Sequence, residues 1–203
     1  MKLLASLTSP YARKIRILLA EKQLPFVLVV DSPWEANTRV PEVNPLGKVP
    51  ALVLDSGEVF FDSPVIAGYL ETLDAQPSLL PPGGIERVRV RQTEALADGI
   101  LDAAVGAYLE GRRPDAQQSA VSIARQFDKI RRSLDELEKR ASGHTWLDGD
   151  AMQLGDITVG VALGYLDLRL PQLDWHTDRP ALTALAERLF TRPSFVATIP
   201  PAG

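Results

Sequence analysis

The sequence predicts a small mixed α/β domain followed by an all-helical domain. Three observations carry that expectation. Residues 1 to about 75 alternate short apolar runs with helix signals, whereas almost everything after residue 85 follows a helical period. Between them, Pro77, Pro81, Pro82, Gly83 and Gly84 stop any regular element. The 203 residues, 45% hydrophobic and 24% charged, suffice for real cores. The expected domains are therefore residues 1–75 and 85–203, with a linker at 76–84.

Each element has a local reason. Residues 2–6 begin with the apolar run Leu3-Leu4-Ala5 and read as a strand. Ser9 then supplies an N-cap and Pro10 a first helical residue that needs no N–H, opening a helix over 10–22 with Ile15, Leu18 and Leu19 on its apolar side. In this reading Arg13 and Lys14 form a solvated helix face. Residues 26–30 are continuously apolar, as a parallel strand covered on both faces would be. Strands at 51–54 and 59–61 flank Asp55-Ser56-Gly57-Glu58, a turn suited to a hairpin. Ser63-Pro64 repeats the cap-and-proline start for a helix reaching about residue 72. The order βαβ then ββα is the thioredoxin arrangement.

In the second half, residues 85–110 carry Ala97, Gly99, Ala103, Ala104, Gly106 and Ala107, small residues that let helix backbones approach closely. Gly111-Arg112-Arg113-Pro114 breaks the chain, after which Ile123, Phe127, Ile130, Leu134 and Leu137 form a helical stripe. The stripe lasts two heptads and reads as bundle core, not as a coiled-coil seam.

Composition excludes several functions. A formal net charge of −4 argues against nucleic-acid or anionic-membrane binding, which requires a basic face. No apolar run reaches membrane-span length, and the N-terminal one is too short for a signal peptide, so a cytoplasmic location is expected. The absence of cysteine removes disulfides, thiolate metal sites and any redox thiol. Two histidines, His144 and His176, give little basis for a zinc site or a Ser-His-Asp triad.

Alone, Ser9-Pro10 reads as an ordinary helix cap. Two further segments change that reading: Asn44-Pro45-Leu46-Gly47-Lys48-Val49-Pro50 before an apolar strand, and Phe60-Phe61-Asp62-Ser63-Pro64 at the start of a helix. The ordered set resembles the N-terminal half of cytosolic glutathione S-transferases, close to their serine-dependent, short bacterial branch. Trp146-Leu147-Asp148-Gly149-Asp150, Leu154-Gly155-Asp156-Ile157 and Arg192-Pro193-Ser194-Phe195 extend the resemblance to the helical half. There the family has a Ser/Thr-x-x-Asp capping box; here Gln153, a poor N-cap, takes the first place, and Asp156 is read as structural.

The resemblance implies a fold of a thioredoxin-like domain plus an all-helical bundle, glutathione as co-substrate, no metal, and a homodimer. It places Ser9 beside the glutathione sulfur as an electrostatic stabiliser, neither base nor nucleophile. It makes Val49-Pro50 a cis pair whose Val49 backbone meets the tripeptide, and it sets Asp62 and Ser63 on the γ-glutamyl end. Lys48 is either an exposed turn lysine or a ligand of a glutathione carboxylate. Asp98 or Asp102 is either a solvated helical acid or the carboxylate lent to the partner subunit's glutathione amine. Tyr11, Ala104 and Tyr108 would line a pocket for the electrophile. The implied activity is glutathione transfer to a small electrophile. Glutathione-dependent thiol exchange or reduction, and a non-catalytic protein-interaction module, are the alternatives.

Overall fold

Leu3, Leu4 and Ala5 are buried in an inner strand of a four-stranded sheet, because β1 (Lys2–Ala5) is paired on both edges. The computed structural model describes residues 1–201 and divides into two units. The first comprises Met1–Leu79 and the stretch from Pro193 onward. Its sheet order is β2-β1-β3-β4, with β2 at Val27–Val30, β3 at Ala51–Val53 and β4 at Val59–Phe60. β1 runs parallel to β2 and antiparallel to β3, and β3–β4 is the expected hairpin. Helix α1 (Pro10–Glu21) buries Ile15, Ile17, Leu18 and Leu19; α2 (Val40–Val43) is one short turn, and α3 (Ser63–Leu70) follows β4. This is the expected βαβ-ββα order.

Three expectations need correction here. The apolar strand at 26–30 is not covered on both faces: β2 is an edge strand, and Val27 and Val30 stand more than half exposed. Continuous apolarity reflects β-branched propensity there, not burial. Arg13 and Lys14 are not a solvated face, since both are buried. Helix α8 (Pro193–Val196) and the residues just after it account for Arg13, whose guanidinium donates to the Phe195 carbonyl (3.3 Å) and to Thr198 Oγ1 (3.5 Å). Burial, with Arg16 nearby, lowers its pKa to about 10, so it stays charged at neutral pH.

The boundaries also differ from residues 1–75 and 85–203. Lys22 and Glu71 form a buried 3.0 Å ion pair, and Lys22 Nζ also donates to the carbonyls of Ala75 and Pro77 (2.9 Å each). Glu71 in turn accepts from the Leu79 N–H. A buried charge pair needs such surrounding bonds, and supplying them ties the start of the linker to the first unit. The segment from Pro193 onward belongs to that unit as well, although the expected helical domain ran to residue 203; residues 202 and 203 lie outside the described ones.

The second unit, Leu80–Arg192, is helical: α4 (Gly84–Gly111), α5 (Ala120–Ala141), α6 (Leu154–Arg169) and α7 (Pro180–Phe190). α6 is its core element, with Leu154 through Leu163 all buried. It lies along α4 through small residues. A Cβ on Gly155 would meet Thr93 Cγ2 at 2.9 Å and Asp148 Oδ2 at 3.0 Å, so only glycine permits this approach. Ile130, Leu134 and Leu137 of α5 are buried, as the stripe predicts.

Gln153 stands at the N-cap of α6, and the Asp156 half of the capping box is in place: the Asp156 carboxylate accepts from the N–H groups of Gln153 and Leu147 (2.8 Å each). Asp156 thus joins the 146–150 turn to the helix. Burial, aided by Asp148, raises its pKa from 3.8 to about 6 against those two bonds. A carboxyl raised on folding favours the folded chain most when protonated. Its cost is absent below about pH 4 and complete above about pH 6, roughly 3 kcal/mol at 1.36 per unit. The stability difference between wild type and Asp156→Asn, from urea unfolding, should therefore grow by about 1–3 kcal/mol in favour of wild type as pH falls from 7.5 to 4.5. A difference independent of pH would count against this assignment.

Candidate functional site

The sheet register decides which sequence-predicted residues meet. Leu4 pairs with Ala51 and Leu52 with Phe60, so the end of β1, the start of β3 and the end of β4 share one edge of the sheet. Ser9 follows the first, Val49-Pro50 precedes the second, and Asp62-Ser63 follows the third. α1 and α3 both begin there, directing two positive helix ends to the same edge.

Ser9 is the N-cap of α1, half-buried, with its Oγ accepting from the Ala12 N–H at 3.3 Å. Among the described residues its hydroxyl makes no other hydrogen bond, so its hydrogen is available to an incoming anion. Tyr11 sits in the first turn, half-buried.

The Val49–Pro50 bond is cis, as expected. Neither the N–H nor the C=O of Val49 hydrogen-bonds within the described residues. Next to a paired strand, that is an open length of backbone. Lys48 is an exposed turn residue. The residue that shapes this loop escaped the sequence analysis: buried Asn44 donates from Nδ2 to the Lys48 carbonyl (2.8 Å) and accepts at Oδ1 from the Leu46 N–H (3.0 Å). Gly47 accommodates the resulting turn at φ +61°. Asn before Pro-Leu-Gly is turn chemistry and was the available signal.

At α3 the expected N-cap shifts by one residue. Asp62 is the cap position and Ser63 the first helical residue, because Asp62 is extended (φ −90°, ψ −159°). The Asp62 side chain is exposed and makes no capping bond, while Ser63 is buried. The Phe61–Asp62 bond is also cis.

In the second unit, Ala104 has no accessible surface and offers no wall to a ligand, whereas Tyr108 is half-buried. Asp98 is half-buried and Asp102, one turn on along α4, is exposed. Among the described residues no cluster of His, Asp or Glu fit to hold a metal ion occurs, and no helix is long and apolar enough to cross a membrane.

Comparison with known proteins places this arrangement. Residues 8–73 match the N-terminal domain of glutathione S-transferases and residues 120–188 the C-terminal domain. The GST-like protein YibF of Escherichia coli, itself uncharacterized, is 47% identical over 201 residues, 99% of each chain. A glutathione S-transferase of Methylobacterium radiotolerans, solved with glutathione sulfonate, superposes with a TM-score of 0.95 at 44% identity, covering 100% of this chain and 95% of that one. One from Methylobacillus flagellatus, with glutathione bound, gives 0.95 at 41%, covering 98% of each. With both domains matched and relatives aligned along nearly its whole length, the chain belongs to the glutathione S-transferase family.

Proposed function

We propose that this protein is a glutathione transferase that binds glutathione at the sheet edge described above, activates its thiolate through Ser9, and delivers it to a small electrophile. The observation that carries the reading is the unpaired Val49 backbone beside the starts of α1 and α3. A tripeptide laid along Val49 would gain backbone pairing in the manner of an added strand. Relatives solved with glutathione or glutathione sulfonate bound support glutathione as the ligand. Asp62, whose side chain makes no capping bond, would pair with the γ-glutamyl ammonium, and the Ser63 hydroxyl and N–H with its carboxylate.

A thiol of pKa ~8.5 is a few per cent thiolate at neutral pH, and lowering it by ~2 units requires ~2.7 kcal/mol. A hydrogen bond to a charged acceptor contributes ~1.5–3 kcal/mol and a helix N-terminus ~0.3–1. Ser9 and the first turn of α1 therefore suffice. The thiolate then attacks an electrophilic carbon and forms a thioether, either as a leaving group departs from that carbon with its bonding pair or as the electrons of an adjacent double bond move away and take up a proton; neither route needs a metal. The working form is a homodimer in the cytoplasm, in which Asp98, or Asp102, is lent to the partner's glutathione amine.

Ser9→Ala should raise the pKa of bound glutathione by at least one unit and change its affinity little. Titration of the thiolate absorbance of the complex measures this; an unchanged pKa would transfer the role to the helix N–H groups. Asp62→Ala should weaken glutathione binding tens-fold or more in calorimetry, as expected when one partner of a desolvated charged pair is lost. A folded variant with wild-type affinity would overturn the site and the transferase reading together. Asn44→Ala should weaken binding about tenfold by releasing the Lys48–Val49 loop, with Ser9-dependent thiolate absorbance retained at saturation.

A further inference from the structure

The helical unit gathers two cations on one phenol. The Arg112 guanidinium carbon lies 5.6 Å from the Tyr108 ring centroid, and its Nη1 donates to the Tyr108 hydroxyl at 2.8 Å. The Arg169 guanidinium carbon lies 4.7 Å from the same ring. Arg169 Nε is buried and has no hydrogen-bond partner. Among the described residues neither arginine pairs with a carboxylate. The nearby acids are engaged elsewhere: Glu110 with Arg113 and the Ser119 N–H, Asp167 with Trp175 and His176. Buried Tyr165, one turn before Arg169 on α6, adds a phenol whose ionisation burial opposes, so it remains a donor.

Both arginines stand at helix C-termini, Arg112 as the C-cap of α4 and Arg169 as the last residue of α6. Part of their charge therefore offsets the helix dipoles. Each end carries about half a negative charge, so two ends offset one of the two cations. About one positive charge is left over. That balance suits a monoanion better than a phosphate dianion, and a guanidinium offers the fork that a carboxylate fits.

We propose that Tyr108, Arg112, Tyr165 and Arg169 form a subsite for the carboxylate of a small organic acid. Its apolar body would lie on the Tyr108 ring.

Calorimetric titration of the whole protein with benzoate and with its neutral isostere benzamide tests the subsite without any turnover. Wild type should bind benzoate at least tenfold more tightly, and Arg169→Gln should abolish the preference while leaving glutathione affinity unchanged. Arg112→Gln, at an exposed position, should reduce it severalfold and keeps the test available should the Arg169 variant not fold. Equal binding of benzoate and benzamide by wild type would overturn the proposal. So would displacement of benzoate by equimolar inorganic phosphate, which would show a general anion site. Failure to bind glutathione would refute the transferase reading while leaving the benzoate result intact.

Discussion

The antiparallel pairing of β1 with β3 is the constraint on which the candidate site depends. It sets Leu4 opposite Ala51, and the hairpin register then sets Phe60 opposite Leu52. Three loops remote in sequence thereby leave the sheet from one edge. Both faces are buried here, with Leu3 and Leu4 on one strand and Ala51 and Leu52 on the other, so a slip of one residue would exchange side chains of different size between two closely packed layers. The burial that fixes the core therefore also fixes the site.

The site divides into backbone and side-chain contributions with different origins. Helix ends and the Val49 backbone are consequences of the fold, and any sequence adopting it would present them. Ser9, Asp62 and Asn44 are choices made on that scaffold. Ser9 satisfies the Ala12 N–H and still keeps its hydrogen, so one hydroxyl can cap the helix and also take the role proposed for it above. The Asp62 carbonyl accepts from the Ile66 N–H, but its side chain makes no capping bond, which leaves the carboxylate available for the ligand role proposed above.

Much of this was legible in the sequence where the signal is local. Ser9-Pro10 announced a helix start, Asp55 to Glu58 a hairpin, and Pro81 to Gly84 a break, because caps and turns depend on a few adjacent residues. What was not legible depends on partners far along the chain. Arg13 looks solvated until residues 195 and 198 are brought onto it. β2 reads as interior because apolar composition does not distinguish an edge from a centre. Asn44 was visible as part of a motif, yet its two loop bonds become evident only once the turn has closed. Ser63 was displaced from the cap by one residue, within the ordinary uncertainty of helix ends.

The first unit is discontinuous: the chain leaves it after Leu79 and rejoins it at Pro193. A fragment ending at residue 79 would keep every strand and the candidate glutathione ligands Ser9, Val49, Asp62 and Ser63, yet it would deprive Arg13 of the Phe195 and Thr198 acceptors. It would also lose Phe195, fully buried in the intact chain. The thioredoxin-like half is thus not an autonomous module that could be excised by cutting once. Moving it between proteins would require a circular permutation that grafts the tail ahead of Met1. In a growing polypeptide, residues 1–79 must wait for the stretch from Pro193, which is made only after the whole helical unit.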